Sequence, residues 1–175
     1  MNLDVLAVIF LAGGMAFAQA SQSTGGEAPD ARVEMMTANG RSAGTATITE
    51  TPHGLIVRYT PFNLPEGTHA FHLHEVGRCD APSFESAGGH FNPAHKAHGF
   101  ASANGYHAGD IPNIHALGTR ESHEHFVKDV RLSTGSMALL DADGASLVVH
   151  AGADDHTTDP SGNSGDRIAC GVIAK

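Results

Sequence analysis

The sequence predicts an all-β domain, an antiparallel sandwich or barrel. Short runs that alternate in polarity or are rich in β-branched residues recur along the chain, no segment sustains a helical period, and 21 glycines and 8 prolines punctuate the runs. In Arg32 to Met36, Val33 and Met35 alternate with Arg32 and Glu34, the pattern of a half-buried strand. Thr45 to Glu50 and Leu55 to Thr60 carry the threonine, isoleucine, valine and tyrosine that suit a pleated surface. His69 to Glu75 alternates again, with Phe71 and Leu73 on one face and His72 and His74 on the other. His125 to Leu132, Ser146 to His150 and Ile168 to Ala174 complete the predicted strands. Two intervals break the rhythm. Val76 to Asn113 and Ala151 to Asp166 show little strand character and far exceed the roughly 4 to 6 residues of an ordinary connection. Both are dense in histidine or aspartate, which argues for order imposed by something bound.

At 175 residues the chain is expected to build one domain. Residues Val5 to Ala18 are apolar but too short to span a bilayer, and small-residue sites follow. Residues 1–20 therefore read as an export signal cleaved after Ala18 or Ala20, although Asp4 stands where Lys or Arg is usual; the competing reading is a buried N-terminal element. Residues 21–30 read as a flexible tail and 31–175 as the folded domain. The absence of a cysteine near the cleavage sites leaves a lipid anchor no attachment point, so no stable membrane anchor is expected. The formal charge of −9, or −8 once the one negative charge of Asp4 is removed, disfavours a nucleic-acid partner. Export would carry Cys79 and Cys170 into an oxidising compartment, where a disulfide is the natural state and two free buried thiols the alternative.

Thirteen histidines are many for this length, and their placement matters more than their number. The first long interval holds His90, His98, His107 and Asp110, three imidazoles and a carboxylate that would make a closed tetrahedral set suited to Zn²⁺. His72 and His74 stand side by side on a strand, and His150 ends another; three or four imidazoles in a flattened array suit copper. Spacing alone does not show that His150 meets His72.

Six blocks, "FHLHE" (71–75), "SAGGHFNP" (86–93), "HG" (98–99), "HAGD" (107–110), "LVVHAGADD" (147–155) and "GNSGDRIACGVI" (162–173), resemble the copper,zinc superoxide dismutases in order and spacing. The similarity runs from about Arg32 to Lys175 and, by the spacing of His74, Cys79 and His90, is to the bacterial exported, periplasmic branch. It implies a Greek-key β-barrel or immunoglobulin-like sandwich of about eight antiparallel strands with two long functional loops. It also implies one copper per chain on His72, His74, His90 and His150, and one zinc on His90, His98, His107 and Asp110, so that His90 is shared. Asp154 matches the family's supporting aspartate, which would accept hydrogen bonds from the free nitrogens of His72 and His98.

The activity implied is disproportionation of two superoxide anions to O₂ and H₂O₂, with copper cycling between Cu²⁺ and Cu⁺, His90 acting in proton delivery and Arg167 guiding the anion. The second loop carries Asp154, Asp155, Asp159 and Asp166 with no Lys or Arg before Arg167, so steering weaker than in family members with lysines there is expected. A non-enzymatic exported copper- or zinc-binding protein and a metal-free surface module are the alternatives. Oligomeric state, monomer or homodimer, stays open. His53, His69, His95, His115, His123, His125 and His156 match no family role, and Glu75 and Asp155 read as structural. His123 and His125 read as a polar strand edge, with an accessory metal or pH-sensitive patch as the alternative.

Overall fold

The computed structural model describes residues 28–174; the expected export signal and most of the tail lie outside them. Eight antiparallel strands form one sheet: β1 (Ala31–Thr37), β2 (Ser42–Thr51), β3 (Gly54–Pro61), β4 (Gly67–His74), β5 (Asp110–Ala116), β6 (His123–Lys128), β7 (Ala145–His150) and β8 (Arg167–Ile173). The order is β5-β4-β7-β8-β1-β2-β3-β6. Hairpins join β1 to β2 and β2 to β3, whereas β3 to β4 and β6 to β7 cross to strands that are not neighbours, a Greek-key arrangement. His123 Nε2 reaches the carbonyl of His115 at 2.9 Å, drawing β6 toward β5 so that the barrel nearly closes.

Alternation builds the interior. Val33 and Met35, Ala46 and Ile48, and Leu55, Val57 and Tyr59 point inward from β1, β2 and β3 and meet Phe71, Leu73, Ile111, Ile114, Leu147, Val149 and Ile173. Each fully buried large side chain contributes about 1.5–3 kcal/mol. Tyr59 stacks on Phe71 with ring centroids 5.0 Å apart and donates its hydroxyl to the Ala43 carbonyl at 2.6 Å, so its polar end is satisfied inside the core. Burial pushes its phenol up from the ordinary value.

Two sequence expectations need correction. The first long loop ends at Gly109 rather than at Asn113, because Asp110–Ala116 pairs with β4 as a strand. Its polar start and Pro112 hide the apolar Ile111, Ile114 and Ala116 from an alternation test, and the β4–β5 register shifts between His69 and Phe71. The sixth strand starts at His123 and stops at Lys128, two residues earlier and four residues earlier than the predicted His125 and Leu132; Asp129, at φ 61°, turns the chain away.

β4 and β7 are buried on both faces near their site ends, which is unusual for a barrel strand. The long loops supply the cover. Phe84 and Ala87, at the short 3₁₀ turn Glu85–Ala87, pack with Val148 and the disulfide-linked Cys79 and Cys170 in a second apolar cluster outside the barrel. The disulfide spans a sequence separation of 91 and ties the first loop to β8. Chain-entropy reasoning puts its stabilisation at about 4–5 kcal/mol at most. Backbone bonds from Ala151 to Asp166, Gly152 to Ser164 and Asp155 to Gly162 zip the second loop, and Ala70 N–H donates to Gly152.

Candidate metal centre

His72 and His74 leave the outer face of β4 because the core face of that strand is taken by Phe71 and Leu73. The pairing of Phe71 with Val149 and His72 with Val148 places His150, at the end of β7, beside them. A backbone bridge between His74 and His90, flanked by bonds from Glu75 to Gly89 and from Phe91 to Leu73, lays the first loop over the same patch. His72, His74, His90 and His150 thus offer four ring nitrogens within 4.8 Å of one another, all on buried residues.

The second nitrogen of each ring is held elsewhere. His74 Nδ1 faces the Gly88 carbonyl at 3.1 Å, His150 Nδ1 faces that of Gly165 at 3.1 Å, and His72 Nε2 faces Asp154 Oδ2 at 2.8 Å. These acceptors fix each neutral ring's proton on the outer nitrogen. His72 Nδ1, His74 Nε2, His90 Nε2 and His150 Nε2 are then left buried with no partner, four lone pairs directed into one place. A buried polar atom without a partner costs free energy, so four together fit a cation that would bind them all. Burial draws His72 down to about 3 and His150 to about 4, and holds His74 well below the ordinary value, which keeps the imidazoles neutral and able to ligate.

Three imidazoles and a carboxylate form the neighbouring set, His90, His98, His107 and Asp110. Asp110 Oδ1 lies 3.0 Å from His90 Nδ1, 3.0 Å from His98 Nδ1 and 3.5 Å from His107 Nδ1. Its other oxygen takes the backbone N–H groups of Gly99 and His107. Burial opposes ionisation of Asp110, yet the bonds from His107, His90, His98 and Gly99 hold its carboxyl well below the usual range. Desolvation likewise works against a charge on His98, but Asp110 and Asp154 on either side outweigh it and raise the ring to about 9. Three imidazoles and one carboxylate make a closed four-donor set that fits zinc. His90 takes part in both groups, through Nε2 on one side and Nδ1 on the other.

Asp154 lies between the groups, its Oδ1 2.9 Å from His98 Nε2. Gly162 packs against this contact. It has φ 69°, and a Cβ there would overlap Asp154 Oδ1 and crowd His98 Nε2. Arg167, at the start of β8, donates from Nη1 to the Phe84 carbonyl and from Nη2 to that of Gly88, both at 2.7 Å. It lines an 810 Å³ cleft that opens onto His74, His90 and His150, in company with Glu85 and Asp166.

Comparison with known proteins decides the family. The Copper/zinc superoxide dismutase (SODC) family model matches residues 42–173. The chain belongs to the copper/zinc superoxide dismutase family. It is 44% identical over 140 residues to a copper-zinc superoxide dismutase of Caulobacter vibrioides, covering 77% of this chain and 80% of that one. It is 41% identical over 143 residues to a copper-zinc superoxide dismutase of Aquifex aeolicus, covering 80% and 85%. The crystal structure of a mutant superoxide dismutase-like protein from Bacillus subtilis superposes with a TM-score of 0.78 at 38% identity, covering 82% of this chain and 97% of that one. The family match takes in every histidine of both sets, Asp110, Asp154, both cysteines and Arg167.

Sequence reasoning missed several supporting residues. Asn113 takes the Asp154 N–H on Oδ1 at 2.8 Å and returns Nδ2 to the Asp154 carbonyl at 2.9 Å; it sits in the strand that alternation did not reveal. His69, buried, places its two ring nitrogens 2.9 Å from the carbonyls of His150 and Pro65. Its position inside the alternating run, three residues before His72, was the available signal. Glu75 and Asp155, by contrast, have the structural role expected of them: Glu75 accepts the Gly89 N–H at 2.9 Å and Asp155 accepts the N–H groups of Thr157 and Thr158, both ordering loop backbone.

Proposed function

We propose that the chain is an exported, periplasmic superoxide dismutase that holds copper on His72, His74, His90 and His150 and zinc on His90, His98, His107 and Asp110. The observation that carries this reading is the set of four buried, partnerless ring nitrogens beside a closed three-histidine, one-aspartate group. Bound copper would supply the one-electron couple by which two superoxide anions and two protons become O₂ and H₂O₂. Zinc, having no redox chemistry, would fix the first loop and the His90 ring.

Arg167 draws the anion into the cleft, its fork held by two carbonyls so that the charge is fixed at the opening. The reaction needs such a local charge because the chain carries a net charge of −9. His90 Nε2, facing the copper set, is the atom on which a proton would be held and passed to reduced oxygen. His74 and His150 are kept from turning by Gly88 and Gly165. Asp154 orients His72 and His98. Export is supported by the apolar stretch Val5 to Ala18 and by the Cys79–Cys170 disulfide; no helix among the described residues is long and apolar enough to cross a membrane.

Copper and zinc per chain, measured with superoxide consumption on the same sample, test the reading. One of each metal with rapid consumption supports it. Full loading with no consumption beyond that of free copper would instead identify a metal-binding protein.

A further inference from the structure

His156 lies two residues beyond Asp154 in the second loop and, as a lone histidine there, had no role on sequence grounds. The hydrogen bonds around it determine its tautomer. Asn113 Oδ1 accepts the Asp154 N–H, so the other end of that amide is its NH₂ group. Nδ2 donates one hydrogen to the Asp154 carbonyl at 2.9 Å and lies 3.2 Å from His156 Nε2. Both hydrogens are thereby used, and Nε2 of the imidazole accepts the second. A neutral His156 ring therefore carries its proton on Nδ1. That atom is buried, has no hydrogen-bond partner and lies 3.5 Å from Asp154 Oδ2. The same residue's backbone N–H donates to Asp154 Oδ1 at 2.6 Å.

The backbone is arranged to bring this about. His156 has φ 57°, a left-handed conformation uncommon outside glycine and retained where surroundings over-determine it. Gly99, next to His98, approaches the His156 carbonyl so closely that a Cβ would overlap it, and Ala101 N–H donates to that carbonyl at 2.9 Å. Residue 156 is thus clamped between the two long loops.

We propose that His156 is a positioning residue that acts through Asp154: its backbone N–H, bonded to Oδ1, and its Nδ1–H, which makes no hydrogen bond but faces Oδ2 across 3.5 Å, together keep the carboxylate in the orientation that receives His72 and His98, pre-organising both ligand groups. A carboxylate that bonds two imidazoles could otherwise rotate to favour one, so a donor on the remaining side of Oδ2 fixes the compromise. The inference rests on the assignment of those groups to copper and zinc.

The test compares the wild-type chain with His156→Leu, His156→Asn and His156→Gln. Zinc affinity is measured by competition with a chromophoric chelator, and the Cu²⁺ site by its electron paramagnetic resonance spectrum. Leucine is expected to weaken zinc binding about tenfold, the low end for loss of an outer partner, and to shift the Cu²⁺ spectrum. Asparagine, whose amide N–H can occupy the Nδ1 position, is expected to restore most of both; glutamine, which reaches the Nε2 position, is not. Wild-type values in His156→Leu, or equal behaviour of the asparagine and glutamine variants, overturn the proposal, and the latter comparison decides it if the leucine variant does not fold. A wild-type chain that binds neither metal overturns the functional reading as well; normal wild-type loading with indifferent variants overturns this inference alone.

Discussion

His72 Nε2 stands 2.8 Å from Asp154 Oδ2, both side chains wholly buried, while the other oxygen of the same carboxylate stands 2.9 Å from His98 Nε2. One side chain thereby sets the rotation of an imidazole in each ligand group. In Asp154→Asn one end of the side chain becomes a donor, so one of the two rings loses its acceptor. Metal affinity should fall about 10- to 100-fold, read by chelator competition. Unchanged affinity for both metals would show that the rings are oriented by packing alone.

Gly162 makes a second prediction at the same place. Its φ of 69° and the crowding of an added Cβ against Asp154 and His98 mean that Gly162→Ala strains the backbone and displaces the bridge. Destabilisation of about 1–3 kcal/mol is expected from urea unfolding, together with weaker zinc retention.

Reduction of Cys79–Cys170 should cost about 2–5 kcal/mol and also slow catalysis. Phe84, whose carbonyl receives Arg167, packs in the apolar cluster with both cysteines, so releasing the loop frees the guanidinium. Cys79→Ser compared with wild type in thermal unfolding and in superoxide consumption checks both effects; lower stability with full activity would separate the disulfide from the arginine.

Arg167→Ala should lower superoxide consumption about tenfold or more at low salt while leaving copper and zinc content intact. For the wild type, consumption should slow as ionic strength rises, and the variant should show a flatter dependence. A wild-type rate that rises with salt would mean that the anion meets net repulsion at the cleft, in which Glu85 and Asp166 also stand.

Chelation should loosen the long loops before the barrel. Residues 75–109 and 151–166 are tied by site histidines and Asp154, whereas the strands are held by a separate apolar interior. Metal-free protein should keep its β-sheet circular dichroism, unfold at lower temperature and be cut by protease within those segments.

The strands that alternate cleanly, such as the Val33–Met35 and Leu55–Val57–Tyr59 runs, were legible because side-chain period reports burial directly. β5 was not, since its residues serve two ends at once: Asp110 and Asn113 belong to the site, while Ile111 and Ile114 belong to the core. His72 and His74 were visible as neighbours on one strand face. The meeting of His150 with them depends on the register of β4 with β7, a long-range relation that no local pattern encodes; it entered through family resemblance. Asn113 and His156 escaped notice because their roles lie in the direction of hydrogen bonds, which appears only when β5 and the second long loop are brought together.

The shared ring of His90 is tested most directly by a crystal structure of the metal-loaded protein with anomalous scattering recorded at the copper and zinc absorption edges. The account predicts two chemically distinct ions, copper bonded to His90 Nε2 and zinc to His90 Nδ1 at about 2.0–2.1 Å. A single ion in the centre, or two ions of which one makes no bond to His90, would contradict it.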